Sequence, residues 1–163
     1  MEVRFKKTHT NAVAPRKAYP TDAGFDLTAV SVHTDNDGCV VYDTGIAVEI
    51  PEGYVGYVFP RSSVAKFGVT LSNSVGVIDS HYRGSIKLKF RPAFGAICVY
   101  NILKNGEYTV LADLESIEAC KIYKPGDRIC QLIIMPIPEV EFKLAAELSE
   151  TDRGDGGYGS SGK

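Results

Sequence analysis

The sequence predicts an all-β fold: a sandwich, a jelly roll or a barrel. Valine, isoleucine, tyrosine and phenylalanine, which favour strands, recur along the chain, and 16 glycines and 8 prolines divide it at short intervals. Hardly any window has apolar residues at the i, i+3, i+4 and i+7 spacing of an amphipathic helix. For 163 residues we expect one domain, with about two thirds of the unfolded surface buried around its core.

The predicted strands follow one another along most of the chain. They cover residues 3–6, 24–29, 39–43, 45–50, 53–59, 69–72, 75–78, 85–90, 97–103, 108–111, 119–123, 128–134 and 140–144. One short helix is predicted at residues 62–67, where serine side chains would cap the start and Gly68 the end.

Strands 75–78 and 85–90 are predicted to pair as a β-hairpin. Ile86, Leu88 and Phe90 alternate with polar residues, as in a strand with one buried face. The four residues D-S-H-Y between the strands have the composition of a turn. The hairpin would therefore carry an acid and an aromatic residue at its bend.

Three residues of this hairpin are candidates for a site. Gly76 interrupts an apolar strand, which favours close approach of a flat ligand to the backbone. Tyr82 could cover another part of that ligand, and Asp79 at the rim is a candidate general base. The alternative is that Asp79 is an ordinary turn residue.

Composition excludes several classes of protein. A formal net charge of −2 gives no reason to expect a nucleic-acid or membrane surface as partner. The four cysteines are scattered without a C-x-x-C pair, which indicates free thiols of an intracellular protein rather than a zinc site. The charged start of the chain predicts no secretory signal, and the apolar run at 129–137 is too short to span a bilayer.

Several polar residues elsewhere are placed where they need a partner. Asp26 lies between apolar residues, so it needs solvent, a partner or a cation. Arg61, Ser62 and Ser63 open the predicted helix and could seat a phosphate, although serine is also a common N-cap. Gln131 interrupts an apolar strand, so its amide should bond to the backbone or to a ligand.

The last eleven residues, 153–163, contain five glycines and cannot fold on their own. Such a tail is usually a disordered end. It would equally suit an arm that becomes ordered around a chain of phosphates, because glycine lets backbone N–H groups approach closely.

Five stretches of the chain resemble, in order, the five motifs of the trimeric deoxyuridine triphosphatase (dUTPase) family. They are D-A-G-F-D-L, P-R-S-S-V-A, N-S-V-G-V-I-D-S-H-Y-R-G, G-D-R-I-C-Q-L and R-G-D-G-G-Y-G-S-S-G. The resemblance implies a distorted jelly-roll β-barrel at residues 1–152 that assembles as a homotrimer. It also implies a flexible arm at 153–163 that completes a neighbouring active site.

The implied activity is hydrolysis of dUTP to dUMP and pyrophosphate with Mg²⁺, which keeps uracil out of DNA and supplies dUMP for dTTP synthesis. By resemblance, Asp79 activates water for attack on the α-phosphorus, and Tyr82 lies under the deoxyribose and leaves no room for a 2′-hydroxyl. Asp26 would act on the metal through a bound water, since the triphosphate itself holds most of the Mg²⁺.

The resemblance assigns the other contacts as follows. The uracil edge would be read by Asn73 and by the backbone of Gly76, Val77, Ile78 and Lys87. The phosphates would be held by Arg61, Ser62, Ser63 and Gln131, with Arg128 bracing the site. From a neighbouring chain, Arg153 would reach the γ-phosphate and Tyr158 would stack on uracil, with Gly159 also at the substrate.

The link between the third and fourth motifs is longer than in most members. The extra part is predicted within residues 92–118, where Asn105-Gly106 suggests a small hairpin. Some phage members resemble this chain in carrying an insert here. The resemblance implies a cytoplasmic protein, which for a viral protein would mean the cytoplasm of the host. The insert is also a candidate surface for a protein partner.

Two other functions compete with dUTP hydrolysis. A dCTP deaminase shares the fold and has a similar R-S-S motif. Deamination uses a glutamate in the strand after the third motif, in a pattern like T-L-E-L, where this chain has K-L-K-F. Lysine cannot replace the carboxylate of that pattern. The other competitor is a nucleotide-sensing regulatory protein that acts through the insert.

Overall fold

The structure is a computed structural model that describes residues 1–92, 99–102, 108–111 and 122–157. In these residues the strands are β1 (Arg4–Lys7), β2 (Phe25–Thr28), β3 (Ser31–Thr34), β4 (Val40–Asp43), β5 (Ile46–Glu49), β6 (Tyr54–Pro60), β7 (Val69–Leu71), β8 (Gly76–Ile78), β9 (Lys87–Pro92), β10 (Val99–Ile102), β11 (Tyr108–Leu111) and β12 (Arg128–Pro136). A 3₁₀ helix at Ser62–Lys66 follows β6. The all-β prediction is confirmed.

Two four-stranded antiparallel sheets form the body of the fold. Their strand orders are β2-β12-β6-β8 and β3-β4-β9-β7. The pair β1-β5 and the pair β10-β11 form two smaller antiparallel sheets. The pairing of β10 with β11 agrees with the small hairpin predicted in the insert, whose Asn105-Gly106 turn lies outside the described residues.

One hydrophobic core is shared by both four-stranded sheets. Leu27 and Val58 enter it from one sheet, and Tyr42 and Phe90 enter it from the other. Tyr42 and Phe90 pack edge to face with ring centroids 5.5 Å apart. Large buried aromatic rings dominate the energetics of a core, so these contacts fix how the sheets pack together.

The predicted hairpin is wrong in its pairing. β8 pairs with β6, with Val58 opposite Gly76, whereas β9 pairs with β4 on one side and β7 on the other. The two arms therefore belong to different sheets, and the segment between them crosses from one sheet to the other. Period-2 alternation shows which face of a strand is buried but does not identify its partner.

Three further expectations need correction. Strand β3 was not predicted, and residues 140–144, predicted as a strand, have no regular structure and leave Phe142 97% exposed. The helix is a 3₁₀ helix whose N-cap is Arg61, with no side-chain capping bond, so the serines do not cap it. Residues 122–123 are not a strand, and the rest of the strand predicted at 119–123 lies outside the described residues.

Apolar and charged residues alternate at 140–144, as they do in a half-buried strand. A strand also needs a neighbouring edge for its backbone N–H and C=O groups, and alternation cannot supply one. Among the described residues, no helix is both long enough and apolar enough to cross a membrane.

Candidate active site

A small cleft lies between β8 of one four-stranded sheet and β9 of the other. We call it the β8–β9 cleft; it has a volume of about 230 Å³. It is lined by Val58, Ser72, Asn73, Gly76, Ile78, Ile86, Lys87, Leu88 and Lys89. Ligand pockets usually measure about 300–1,000 Å³, so this cleft suits one small ring.

Gly76 forms part of the floor of the β8–β9 cleft and is buried. A Cβ atom at this position would lie 3.2 Å from the Cβ of Val58 on the adjacent strand β6. The glycine thus allows β8 to lie close to β6, which is a packing reason that the sequence did not reveal. Val77 alternates with Gly76 and its side chain is exposed, so only its backbone could serve the cleft.

Asp79 and Tyr82 lie on the crossing segment immediately after the cleft residue Ile78. The Asp79 carbonyl accepts a hydrogen bond from the Tyr82 N–H at 3.0 Å, which closes a turn. The Arg83 guanidinium donates to the carbonyls of Ser80 and Tyr82 and holds this turn. Asp79 is exposed, so water can reach its carboxylate.

The ring of Tyr82 is held over its own turn and stays 43% exposed. Its hydroxyl donates to the Ser85 carbonyl at 3.0 Å. A Cβ atom on Gly84 would lie 2.6 Å from Cζ of this ring, so a side chain there cannot coexist with the ring in this position. The hydroxyl bond to Ser85 and the space left by Gly84 together accommodate the ring in this position.

A second cleft, of about 290 Å³, lies beside the sheet β2-β12-β6-β8; we call it the arginine cleft. It is lined by Ala18, Asp22, Ala23, Gly24, Asp26, Arg61, Ser62 and Gln131. Asp26 on β2 and Gln131 on β12 are opposite each other in register, and Arg61 directly follows β6 on the far side of β12. Sheet pairing thus unites residues from distant parts of the chain.

Two arginines satisfy Asp26. Arg61 Nε lies 2.8 Å from Asp26 Oδ1, and Arg128 Nη1 lies 2.8 Å from Asp26 Oδ2. The Asp26 side chain is 11% exposed, so it needs such partners, and the trio carries one net positive charge. The register of β12 against β2 shifts between Arg128 and Cys130, so the two strands do not pair continuously beside this trio.

Gln131 fits beside Asp26 because Gly24 has no side chain. A Cβ atom on Gly24 would lie 2.7 Å from Oε1 of Gln131. Gln131 is therefore among the residues that line the arginine cleft, and its bond to the backbone or to a ligand stays a prediction. Ser63 is placed differently from Ser62, since its hydroxyl is buried next to the Tyr123 hydroxyl, whose pKa is raised mainly by burial.

Arg153 lies in a turn near the end of the described chain. Its Nε donates to the Gly156 carbonyl at 3.0 Å, and its side chain is exposed. Tyr158 and Gly159 lie outside the described residues. In a single chain, the structure thus groups Asn73, Gly76, Ile78 and Lys87 in one cleft, and Asp26, Arg61, Ser62, Arg128 and Gln131 around the other.

Sequence reasoning missed the lining residue Asp22 and the group of Asp43 and Ser85 that lies behind Tyr82. Asp22 accepts a hydrogen bond from the Tyr19 N–H at 2.9 Å, a turn contact typical of aspartate. Asp43 precedes Thr44-Gly45, which is a turn signal, but nothing in the sequence identifies Ser85 as the partner of that turn.

Taken together, the fold and the two clefts define a β protein suited to a ligand with one small ring and an anionic part. Comparison with known families identifies which protein of this kind it is. The chain belongs to the dUTPase family, since the family model for dUTPase matches residues 10–94 and 116–162.

Relatives and solved structures agree with this membership. A deoxyuridine 5′-triphosphate nucleotidohydrolase of Hydrogenobaculum sp. (strain Y04AAS1) is 38% identical over 165 residues, which is 99% of both chains. The enzyme of that name from Escherichia phage T5 is 38% identical over 148 residues, covering 90% of this chain and 82% of its own. The dUTPase of Staphylococcus bacteriophage 80alpha, solved with dUPNHPP, is 29% identical, with a TM-score of 0.75 and 99% coverage of both chains.

These matches confirm the family and the dUTPase-like β fold predicted from the five motifs. A dUTPase from phage phi11 of S. aureus, studied for the coordination of a structural Mg(II) ion, is 27% identical, with a TM-score of 0.67. It covers 92% of this chain and 100% of its own.

Proposed function

We propose that the protein hydrolyses dUTP to dUMP and pyrophosphate. One observation carries the proposal: the first, second and fourth motifs meet at the arginine cleft, while the third motif lines the β8–β9 cleft and continues into Asp79. A ring-sized cleft, a cluster of cations and an exposed carboxylate are the parts that nucleotide hydrolysis requires. The reaction would supply dUMP for dTTP synthesis, and by removing dUTP it would keep uracil out of DNA. It would take place in the cytoplasm of a cell or of a virus-infected host.

The β8–β9 cleft would hold uracil. The backbone of residues 76–78 and of Lys87, together with the Asn73 side chain, would bond the polar edge of the base. The small volume of the cleft supports rejection of thymine, whose methyl group needs additional space. Tyr82, on the crossing segment that follows the cleft residue Ile78, would pack against the deoxyribose and exclude a 2′-hydroxyl.

The arginine cleft would hold the phosphates. Arg61, Ser62 and Gln131 line it, and Arg128 braces Asp26 from the other side. Guanidinium groups suit this task because they stay charged and donate in a fork that matches phosphate oxygens. Ser63 remains a predicted phosphate ligand whose hydroxyl would have to leave its buried position next to Tyr123.

Asp79 would act as the general base. It would take a proton from water as the water oxygen bonds to the α-phosphorus. The bond from that phosphorus to the α–β bridging oxygen then breaks, and pyrophosphate leaves with the bonding electrons. A positioned base typically contributes 10²–10⁴-fold in rate.

Mg²⁺ is the proposed cofactor, and the residues at the arginine cleft fit an ion held through water. Among the described residues, no group of three or more His, Cys, Asp or Glu side chains is arranged to cage a metal. Both oxygens of Asp26 are bonded to arginines, which favours contact through a water molecule. When bound, Mg²⁺ would neutralise phosphate charge, a role that suits an ion with mostly water and phosphate ligands.

We further propose that residues 1–152 form the folded domain of a homotrimer and that residues 153–163 form an arm. The arm would complete the site of a neighbouring chain through Arg153, Tyr158 and Gly159. Exposed apolar side chains on the segment before the arm, including Val140, Phe142 and Leu144, support burial against another chain. The insert within 92–118 remains a proposed surface for a protein partner.

The substitution Gly84→Ala is expected to lower kcat/KM for dUTP by about tenfold or more. A Cβ atom at this position occupies the space of the Tyr82 ring, so the ring must move away from the sugar. Steady-state kinetics would measure this loss. The double variant Gly84→Ala with Tyr82→Ala should show little additional loss over Tyr82→Ala alone, and a fully additive loss would mean that Gly84 acts independently of the ring.

Pyrophosphate release from dUTP, dTTP, dCTP and UTP, with Mg²⁺ and with EDTA, tests the proposed activity. Rapid release from dUTP with Mg²⁺, and little release from the other nucleotides, is the expected result. Ammonia released from dCTP would instead identify a deaminase. Tight dUTP binding without pyrophosphate release would favour the nucleotide-sensing protein.

A further inference from the structure

The carboxylate of Asp43 lies behind the proposed nucleotide site, at the end of β4. Its side chain is 23% exposed. Oδ1 accepts hydrogen bonds from the Ser85 hydroxyl and from the Gly45 N–H, the latter at 2.8 Å. Oδ2 lies 3.6 Å from Lys87 Nζ. One carboxylate therefore contacts two residues of the segment that brings the chain into β9.

Both of those residues lead to the site. Ser85 accepts the Tyr82 hydroxyl on its carbonyl at 3.0 Å, and Lys87 lines the β8–β9 cleft. Asp43 is thus linked through Ser85 to the ring proposed to contact the sugar, and through its ion pair with Lys87 to the wall of the β8–β9 cleft. Within the part of the chain that the structure describes, Asp43 is the carboxylate that links Ser85 to Lys87.

The next residue of the same turn fixes the backbone between Ser85 and Lys87. The Thr44 hydroxyl donates to the Ile86 carbonyl at 2.8 Å, and the Ile86 N–H donates to the Ile46 carbonyl at 2.8 Å. These bonds hold Ile86 whether or not Asp43 is present. The contribution of Asp43 is therefore specific to the Ser85 side chain and the Lys87 ammonium group.

The ionised form of Asp43 is the form that this arrangement favours. Burial by itself raises the pKa of the carboxyl, but hydrogen bonds from Ser85 and Gly45, together with the nearby Lys87 charge, lower the pKa below its ordinary value. An ionised carboxylate only accepts hydrogen bonds, so it holds the Ser85 hydroxyl in one orientation.

We propose that Asp43 is a positioning residue for the nucleotide: through Ser85 it holds Tyr82 in the place where the ring excludes a 2′-hydroxyl, and through Lys87 it holds the wall of the base cleft. This role rests on the proposed dUTP hydrolysis. The residue that sets discrimination between dUTP and UTP is then supported from the end of β4, by a side chain that is not among those lining either cleft.

The ratio of kcat/KM for dUTP to kcat/KM for UTP tests the proposal. Asp43→Ala should lower this ratio by about tenfold, because Tyr82 loses its indirect support. Asp43→Asn keeps an oxygen that can accept from Ser85 and Gly45, so it should retain most of the ratio. An unchanged ratio in Asp43→Ala would overturn the proposal. If Asp43→Ala does not fold, Ser85→Ala removes the same link and should lower the ratio in the same direction.

Asp35→Ala is a matched control from the same sheet. Asp35 accepts two backbone N–H groups, from Asp37 at 3.0 Å and from Cys39 at 2.9 Å, where Asp43 accepts one backbone N–H and one hydroxyl. The Asp35 carboxylate lies 2.6 Å from Lys89 Nζ on β9. Lys89 lines the β8–β9 cleft as Lys87 does, so Asp35→Ala loosens a lysine of the cleft wall but leaves the Ser85 link to Tyr82 intact. The dUTP to UTP ratio should therefore stay near that of the wild type. An equal fall in the ratio would overturn the role of the Ser85 link, because it would show that losing a lysine contact or weakening the sheet is sufficient.

A second measurement does not depend on activity. In protein labelled with 3-fluorotyrosine, the ¹⁹F signal of Tyr82 can be assigned with Tyr82→Phe. This signal should shift in Asp43→Ala and stay in place in Asp35→Ala. If the wild type fails to hydrolyse dUTP but the signal behaves in this way, the proposed function is wrong and the positioning role stands. A signal that does not move in Asp43→Ala overturns the positioning role itself.

Discussion

Asp79→Asn is expected to lower the turnover of dUTP by at least about a hundredfold while dUTP binding stays close to that of the wild type. The substitution preserves the shape of the side chain and removes its ability to take a proton from water. The Asp79 carbonyl, which closes the turn with Tyr82, is unaffected because it belongs to the backbone. Single-turnover kinetics would give the rate, and calorimetry with a non-hydrolysable dUTP analogue would give the Kd.

Asp37→Asn is the matched control for this substitution. Asp37 is likewise an exposed turn carboxylate, near Lys89 rather than the crossing segment. Asp37→Asn removes one negative charge, as Asp79→Asn does, but leaves the proposed base in place. The turnover of this variant should therefore remain near that of the wild type. Near-normal turnover in Asp79→Asn would remove Asp79 from the role of base, and equal losses in both variants would indicate a general electrostatic effect.

Truncation after Asp152 is expected to remove most of the dUTP hydrolysis and to leave the fold intact. Arg153 and Gly154 form hydrogen bonds with Gly156 and Thr151, all within residues 151–156, so the described part of the arm adds little to the stability of the domain. Thermal unfolding and sedimentation should therefore match the full-length protein, while pyrophosphate release falls. The substitution Arg153→Ala in the full-length chain should lower pyrophosphate release by less than the truncation does.

A truncated protein that hydrolyses dUTP at the normal rate would mean that the glycine-rich tail has no part in catalysis. A truncated protein with a much lower Tm would mean that the tail stabilises the fold instead. The two outcomes are separable because activity and unfolding are measured on the same sample.

The residues that line the two clefts include many of those predicted from the sequence, whereas the predicted pairing of β8 with β9 was wrong. Asp26 was expected to need solvent, a partner or a cation, and in the structure it is paired with Arg61 and Arg128. That partnership depends on β2, β6 and β12 lying side by side, which is a matter of long-range pairing. Local composition determines whether a segment is extended and which of its faces is apolar, but the choice of neighbour depends on the whole fold.

Glycines illustrate the same limit. Gly76 was interpreted as leaving room for a ligand, and the structure adds a neighbour, Val58, that requires the same space. Gly84, which makes room for the Tyr82 ring, was not singled out, because the position of that ring depends on a bond to the Ser85 carbonyl. A sequence reveals that a side chain is missing but not which atom fills the space.

The separation of β8 and β9 into opposite sheets has a consequence for folding. The β8–β9 cleft has one wall from each sheet, so it does not exist until both halves of the barrel have docked. A partly assembled chain cannot recognise the base, and bound nucleotide stabilises only the completed fold by mass action. Slowed amide exchange on nucleotide binding should accordingly extend through both halves rather than remain confined to the loops that touch the ligand.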